Sequence, residues 1–175
     1  LVAYSAGDNA LAETRIRRSI AILSRLLDQT NPIQADALSL EGSILYAQGR
    51  LDDAERTLVR SISAYRQVYR GPHYNIGISE FYRAQIAADK GQPALALERL
   101  DAARTNYEAS YGKVHANIGE VLVTRASLLA KLGRLPEAVR ECAAGMEMLN
   151  ATMGPDNSFT QGLRKTCDSL GKKGS

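Results

Sequence analysis

The sequence has little of what most protein chemistry requires. No apolar run exceeds four residues (Ile20 to Leu23, Ala94 to Leu97), whereas a membrane-spanning helix needs about 20, so no transmembrane segment is expected. Cysteine is scarce: Cys142 and Cys167 are too few for a disulfide framework and lack the clustered spacing of a zinc site, which reads as a reducing compartment and a cytoplasmic location. There are only two histidines, His73 and His115. The chain contains no glycine-rich phosphate loop, no Gly-x-Ser-x-Gly elbow and no His-Glu-x-x-His. No catalytic residues, cofactor or metal are therefore expected. Charge of one sign is also lacking, with 22 Lys and Arg against 19 Asp and Glu, interspersed, for a formal +3. Composition thus argues against nucleic acid or an anionic membrane as partner. The chain opens at Leu1 in the middle of an amphipathic pattern and without a signal peptide, so an excerpt of a longer protein is expected.

What is present is a repeat. Gly7, Gly49, Gly91 and Gly133 stand 42 residues apart. Ala12, Ala54, Ala96 and Ala138 follow at the same spacing, then Ile16, Leu58, Leu100 and Cys142, then the small residues Ser19, Ser61, Ala103 and Gly145. Another small position, Gly42, Ala84 and Ala126, precedes the last three glycines. The loops repeat as well, His73-Tyr-Asn-Ile76 being followed by His115-Ala-Asn-Ile118. Each unit reads as two helices about a Gly turn: Ile118, Val121, Leu122, Ala126, Leu129 and Leu132 form an apolar stripe before the turn, and Leu97, Leu100, Ala103 and Tyr107 form one after it. Pro93 and Pro136 sit at first helical positions, and the breaks fall at Asn31-Pro32, Gly71-Pro72, Gly112 and Gly154-Pro155. Nothing alternates with period two, so no sheet is expected.

The stretch Gly42 to Leu58, with its small residue, turn Gly49, Ala54 and large apolar Leu58, resembles the tetratricopeptide repeat. Eight extra residues per unit resemble the 42-residue class found in kinesin light chains. The resemblance implies an all-α, right-handed superhelical solenoid of antiparallel helix pairs with three to four repeats: a partial unit at 1–31, units at 32–73, 74–115 and 116–156, and a capping helix at 157–171. The last unit fits this register only with one residue deleted, which aligns Gly174 with the turn glycine and Cys167 with the small position. The class usually carries Asn pairs in its first helices to hold peptide backbone. Here Ser39-Leu40, Phe81-Tyr82 and Val123-Thr124 stand there instead.

The resemblance implies a non-catalytic module that binds a protein or peptide on its concave face, within a multidomain signalling protein. A structural spacer or oligomerisation element, and a sensory domain for a signal peptide, are the alternatives. The expected groove residues are Ser39, Ser43, Tyr46, Phe81, Gln85, Asp89, Val123, Ser127 and Lys131, with Tyr46 and Phe81 as aromatic anchors. Arg83 and Arg125 fall on the apolar stripe at one repeat position, with Glu41 as the equivalent. A buried Arg needs a carboxylate, so pairing with Glu41, Glu98 or Glu141 is expected, and an anion clamp is the alternative. Cys142 and Cys167 are read as buried thiols, with a bond tying down the cap as the alternative. Tyr65/Tyr69 and Tyr107/Tyr111 are read as core, matching Leu23/Leu27 and Leu149/Met153, and the two histidines as ordinary loop residues.

Overall fold

The computed structural model describes residues 9–26 and 31–171. Within them eight helices follow one another with no strand: α1 (Asn9–Leu26), α2 (Pro32–Ala47), α3 (Leu51–Val68), α4 (Tyr74–Asp89), α5 (Pro93–Tyr111), α6 (Ala116–Lys131), α7 (Leu135–Met153) and α8 (Ser158–Gly171). Gly7, Leu27 and Gly174 lie outside the described residues. α2, α4 and α6 each pack on the odd-numbered helix that follows, α2 also touches α4, and α6 also touches α8, which makes the chain an all-α solenoid of stacked hairpins.

The hairpin turns follow from the glycine period. Gly49, Gly91 and Gly133 have φ of 74°, 70° and 77°, a left-handed conformation that costs glycine nothing. There the Arg50, Gln92 and Arg134 amides reach back to the Leu45, Ala87 and Leu129 carbonyls at 3.0, 2.8 and 2.9 Å. These bonds satisfy carbonyls that a helix end would otherwise leave orphaned.

The joints between hairpins repeat too. α2, α4, α6 and α8 begin after Asn31, His73, His115 and Asn157, which stand 42 residues apart. In each case the side chain accepts the backbone N–H two residues on: Asn31 Oδ1 from Ile33 at 3.0 Å, His73 Nδ1 from Asn75 at 3.3 Å, His115 Nδ1 from Asn117 at 3.2 Å and Asn157 Oδ1 from Phe159 at 2.9 Å. A helix start leaves four amides without intrahelical partners, and such caps satisfy one of them. The histidines are therefore structural caps. The first turn of α8 also keeps the register without the deletion expected there.

Small residues set how closely the two helices of a hairpin approach. The crossing points are Ala35 with Ser61, Gly77 with Ala103 and Gly119 with Gly145. Ser61 Oγ donates to the Ala35 carbonyl at 2.9 Å. A Cβ on Gly77 would stand 3.2 Å from the Ala103 carbonyl oxygen, and one on Gly145 only 2.8 Å from that of Gly119. Around these crossings Ala54, Ala96, Ala138, Leu58 and Leu100 are completely buried. Burying one such leucine contributes about 2 kcal/mol. Leu132, placed on the stripe by periodicity, ends up exposed beyond the last turn of α6.

The cap helix departs from the sequence reading in one more respect. Cys142 and Cys167 are bonded to each other across α7 and α8, with Cα atoms 5.6 Å apart, inside the range a disulfide requires. Two packing positions on facing helices thus become a covalent tie, and the thiols no longer argue for a reducing compartment. Where Ile76 and Ile118 fill the core, α8 buries Thr160, whose hydroxyl finds no hydrogen-bond partner among the described residues.

Candidate binding groove

The inner face is built from the first helix of each hairpin, because α3, α5 and α7 occupy the other side. Between α2 and α4 it forms a groove of about 340 Å³ lined by Asp36, Ser39, Leu40, Ser43, Tyr65, Tyr74, Asn75, Ile78 and Tyr82. Its floor is polar but satisfied: Ser39 Oγ lies 3.1 Å from Ser79 Oγ, and Ser43 Oγ donates to the Leu40 carbonyl at 2.8 Å. Asp36 Oδ1 accepts from the Tyr65 hydroxyl and from Asn75 Nδ2 at 2.9 Å. Tyr74 is exposed at the rim, and the Tyr82 ring stands 5.9 Å from that of Tyr46.

The expected groove residues divide by position. Tyr46, Gln85 and Ser127 are half-buried and Asp89 and Lys131 exposed, all with a path to ligand. Tyr46 donates its hydroxyl to Asp89 Oδ2 at 2.9 Å. Burial and that carboxylate push its phenol up to about 12, so it stays a neutral donor. Phe81 and Val123 are corrections: both are buried in the core, as is Ser39 except where it floors the groove. Tyr82, Thr124 and Leu40, each the next residue, take the surface positions. One residue is a rotation of about 100° around a helix, and the close Gly77–Ala103 and Gly119–Gly145 crossings turn Phe81 and Val123 inward.

The repeat pattern puts Glu120 on the inner face as well. It lies on α6 at the repeat position of Asp36 and Ile78, and no cation pairs with it among the described residues. Burial alone raises its carboxyl to about 7. The spacing of 42 residues from Asp36 to Ile78 to Glu120 gives its place on the inner face, and the structure adds its burial.

The two stripe arginines are held by carboxylates. Arg83 bonds Glu55 through Nε at 2.9 Å and Nη2 at 2.6 Å, and Glu80 through Nη1 at 3.1 Å. Burial opposes its charge, and Glu55 and Glu80 more than restore it. Arg125 bonds Glu141 at 2.8 Å, as expected, and also Asp101. Glu41 pairs instead with Arg17 at 3.3 Å, and Glu98 takes no part in the Arg83 pair. Both guanidinium groups thus have their forks filled, which favours the structural reading over an anion clamp. Tyr65 and Tyr107 are core residues, whereas Tyr69 and Tyr111 stack on His73 and His115 at 4.0 and 3.9 Å between ring centroids.

Among the described residues no group of three or more His, Cys, Asp or Glu could hold a metal ion, and no helix is long and apolar enough to cross a membrane. Residues 4–69 match the family model of the tetratricopeptide repeat. No curated protein matches the chain in sequence. Two solved structures similar to it hold the nearly identical TPR-like repeats of a chain assigned as a kinesin light chain of Podosopora anserina. A single-substitution variant of those repeats superposes with a TM-score of 0.75 at 15% identity, covering 97% of this chain and 80% of that one. The unsubstituted repeats give a TM-score of 0.69 at 15% identity, covering 99% and 92%. At that identity the likeness establishes fold, and the fold is the one the 42-residue period implies.

Proposed function

We propose, from the premise that the chain folds as a tetratricopeptide-repeat solenoid, that it is a non-catalytic scaffold whose inner face grips an extended segment of a partner protein. Tetratricopeptide solenoids in general mediate protein–protein interactions, which supplies the class. The observation that carries the finer reading is the groove between α2 and α4, with a satisfied hydroxyl floor and tyrosines at its rim. A floor without unpaired polar atoms costs little to cover, and tyrosines bring large contact area at small entropic cost. Hairpins stacked at about 10 Å would meet an extended peptide, rising about 3.3 Å per residue, once every three residues. On this reading Ser39, Ser43, Tyr46, Tyr82, Gln85 and Asp89 form the first subsite and Glu120, Thr124, Ser127 and Lys131 the second. Phe81 and Val123 support them from below, and Arg83 and Arg125 brace the walls. A signalling assembly is a natural setting. The Cys142–Cys167 bond supports an oxidising compartment for it in place of the cytoplasm.

The test is selection of peptides from a displayed random library, followed by titration of the best binder. Tyr82→Ala and Gln85→Ala are expected to weaken it by about 1 to 3 kcal/mol with little change in melting temperature, while outer-face Arg104→Ala leaves it unchanged. Binders indifferent to both groove variants would refute the assignment.

A further inference from the structure

Four equivalent joints carry two kinds of cap. Asn31 and Asn157, at the ends, accept the cap amide through a carbonyl oxygen that does not titrate near neutrality. His73 and His115, at the internal joints, accept it through Nδ1, which is an acceptor only while that nitrogen is unprotonated. The proton of the neutral ring is therefore on Nε2. Adding a second proton at Nδ1 turns the acceptor into a donor facing another donor, and places a cation at the positive end of a helix dipole. One protonation thus removes the cap and opposes the helix start.

The surroundings make this a joint. His73 lies face to face on Tyr69, the residue after α3, at 4.0 Å and against Tyr74 of α4 at 4.6 Å, with Tyr65 of α3 at 5.9 Å. Its backbone N–H donates to Asn106 Oδ1 of α5 at 3.0 Å. The charged group that faces it is Asp36 of α2, and Arg66 and Arg70 line the pocket beside its loop. Burial outweighs Asp36 and lowers the imidazole below its ordinary value. His115 lies on Tyr111 of α5 at 3.9 Å and caps α6, with Lys113 in the same loop. The two joints touch, since the Tyr74 and Tyr111 rings are 5.6 Å apart. A single aromatic run therefore joins His73 to His115 across the α4–α5 hairpin.

We propose that the internal joints of the solenoid are acid-released hinges: protonation of His73 and His115 unlocks the starts of α4 and α6, while the asparagine-capped starts of α2 and α8 stay locked. α4 and α6 carry most of the inner face, so acid would loosen the spacing between hairpins there. The hinge stands on the cap geometry alone and does not depend on what the groove binds.

The sign follows from the cap. Neutral His73 is favoured in the folded chain, so its contribution is complete above its unfolded value near 6.5 and is lost as pH falls below that. The experiment compares the full chain with the double variant His73→Asn, His115→Asn, which installs the cap already used at the ends. Amide exchange protection is followed by NMR at pH 7.5 and 5.5. In the parent, protection of the Asn75 and Asn117 amides is expected to fall on the order of threefold to tenfold on acidification, about the worth of one cap, while that of Ile33 and Phe159 holds. In the double variant all four should hold. Titration of Glu120 is common to both proteins and cancels in the comparison. Parent Asn75 and Asn117 amides that track Ile33 and Phe159 through the range would overturn the proposal even if the variant failed to fold. An equal acid response in parent and variant would do the same.

Discussion

Among the glycines of the described residues, the closest approach to another backbone is at the crossing of α6 and α7, and Gly145→Ala tests it. A methyl at Gly145 would stand 2.8 Å from the Gly119 carbonyl oxygen, 2.9 Å from Val123 Cγ2 and 3.1 Å from Leu122 Cβ. The first contact is backbone and the third is fixed to backbone, so neither relieves the clash by changing rotamer. Alanine gains about 1 kcal/mol over glycine inside a helix, and overpacking a tight contact costs about 1 to 3 kcal/mol. With two rigid neighbours the upper part of that range applies, so the net is a loss of about 1 to 2 kcal/mol. For a chain of this length each kcal/mol shifts the melting temperature by about 2 to 4 °C. The control is inside the molecule. Gly162, in α8, has nothing within 4 Å of its would-be Cβ, so Gly162→Ala keeps the propensity gain and should stabilise by up to about 1 kcal/mol. Thermal unfolding by circular dichroism should show shifts of opposite sign. Two stabilised variants would refute the close crossing and the register built on it.

Three further outcomes follow from particular contacts. Arg83→Ala leaves the buried Glu80 carboxylate with only the longer Arg99 pair at 3.8 Å and should cost about 3 kcal/mol in urea unfolding, the low end for breaking a buried pair, with most of the loss recovered by pairing Arg83→Met with Glu80→Gln. Burial costs Glu120 only when it is ionised, so Glu120→Gln should leave stability unchanged below pH 4.5, with a gain that builds between pH 4.5 and about 7 to about 1 to 3 kcal/mol and stays level above; a gain already present at low pH would contradict this. Reduction of Cys142–Cys167 should lower the melting temperature, the bond being worth about 3 kcal/mol for a loop of this length, and should expose α8 to exchange before the other helices.

The stacking was legible in the sequence because it depends on residue size at fixed spacing: Gly49, Ala54, Leu58 and their counterparts admit few other arrangements. The groove was legible only to within one residue. Phe81 and Tyr82 are both aromatic and adjacent, and periodicity alone does not say which turns inward; the Gly77–Ala103 approach decides it. The partners of Arg83 and Arg125 were legible only in part, because Glu55 and Asp101 come from neighbouring helices through a stacking angle that one chain of letters does not encode. The histidine caps were present in the 42-residue spacing from Asn31 to Asn157, hidden by a change of residue type between equivalent positions. Cys142 and Cys167 were placed on packing positions, and their pairing depends on how α8 leans on α7.

The proposed function places an extended peptide on the inner face of α2, α4 and α6. Its most direct test is backbone amide mapping by NMR of the protein with a library-selected peptide bound. Perturbations are predicted at Leu40, Ser43, Tyr82, Gln85, Thr124 and Ser127, in a line crossing the three helices, with α3, α5 and α7 unchanged. Perturbations confined to α3, α5 and α7, or to α1 and α8 at the ends, would contradict the claim.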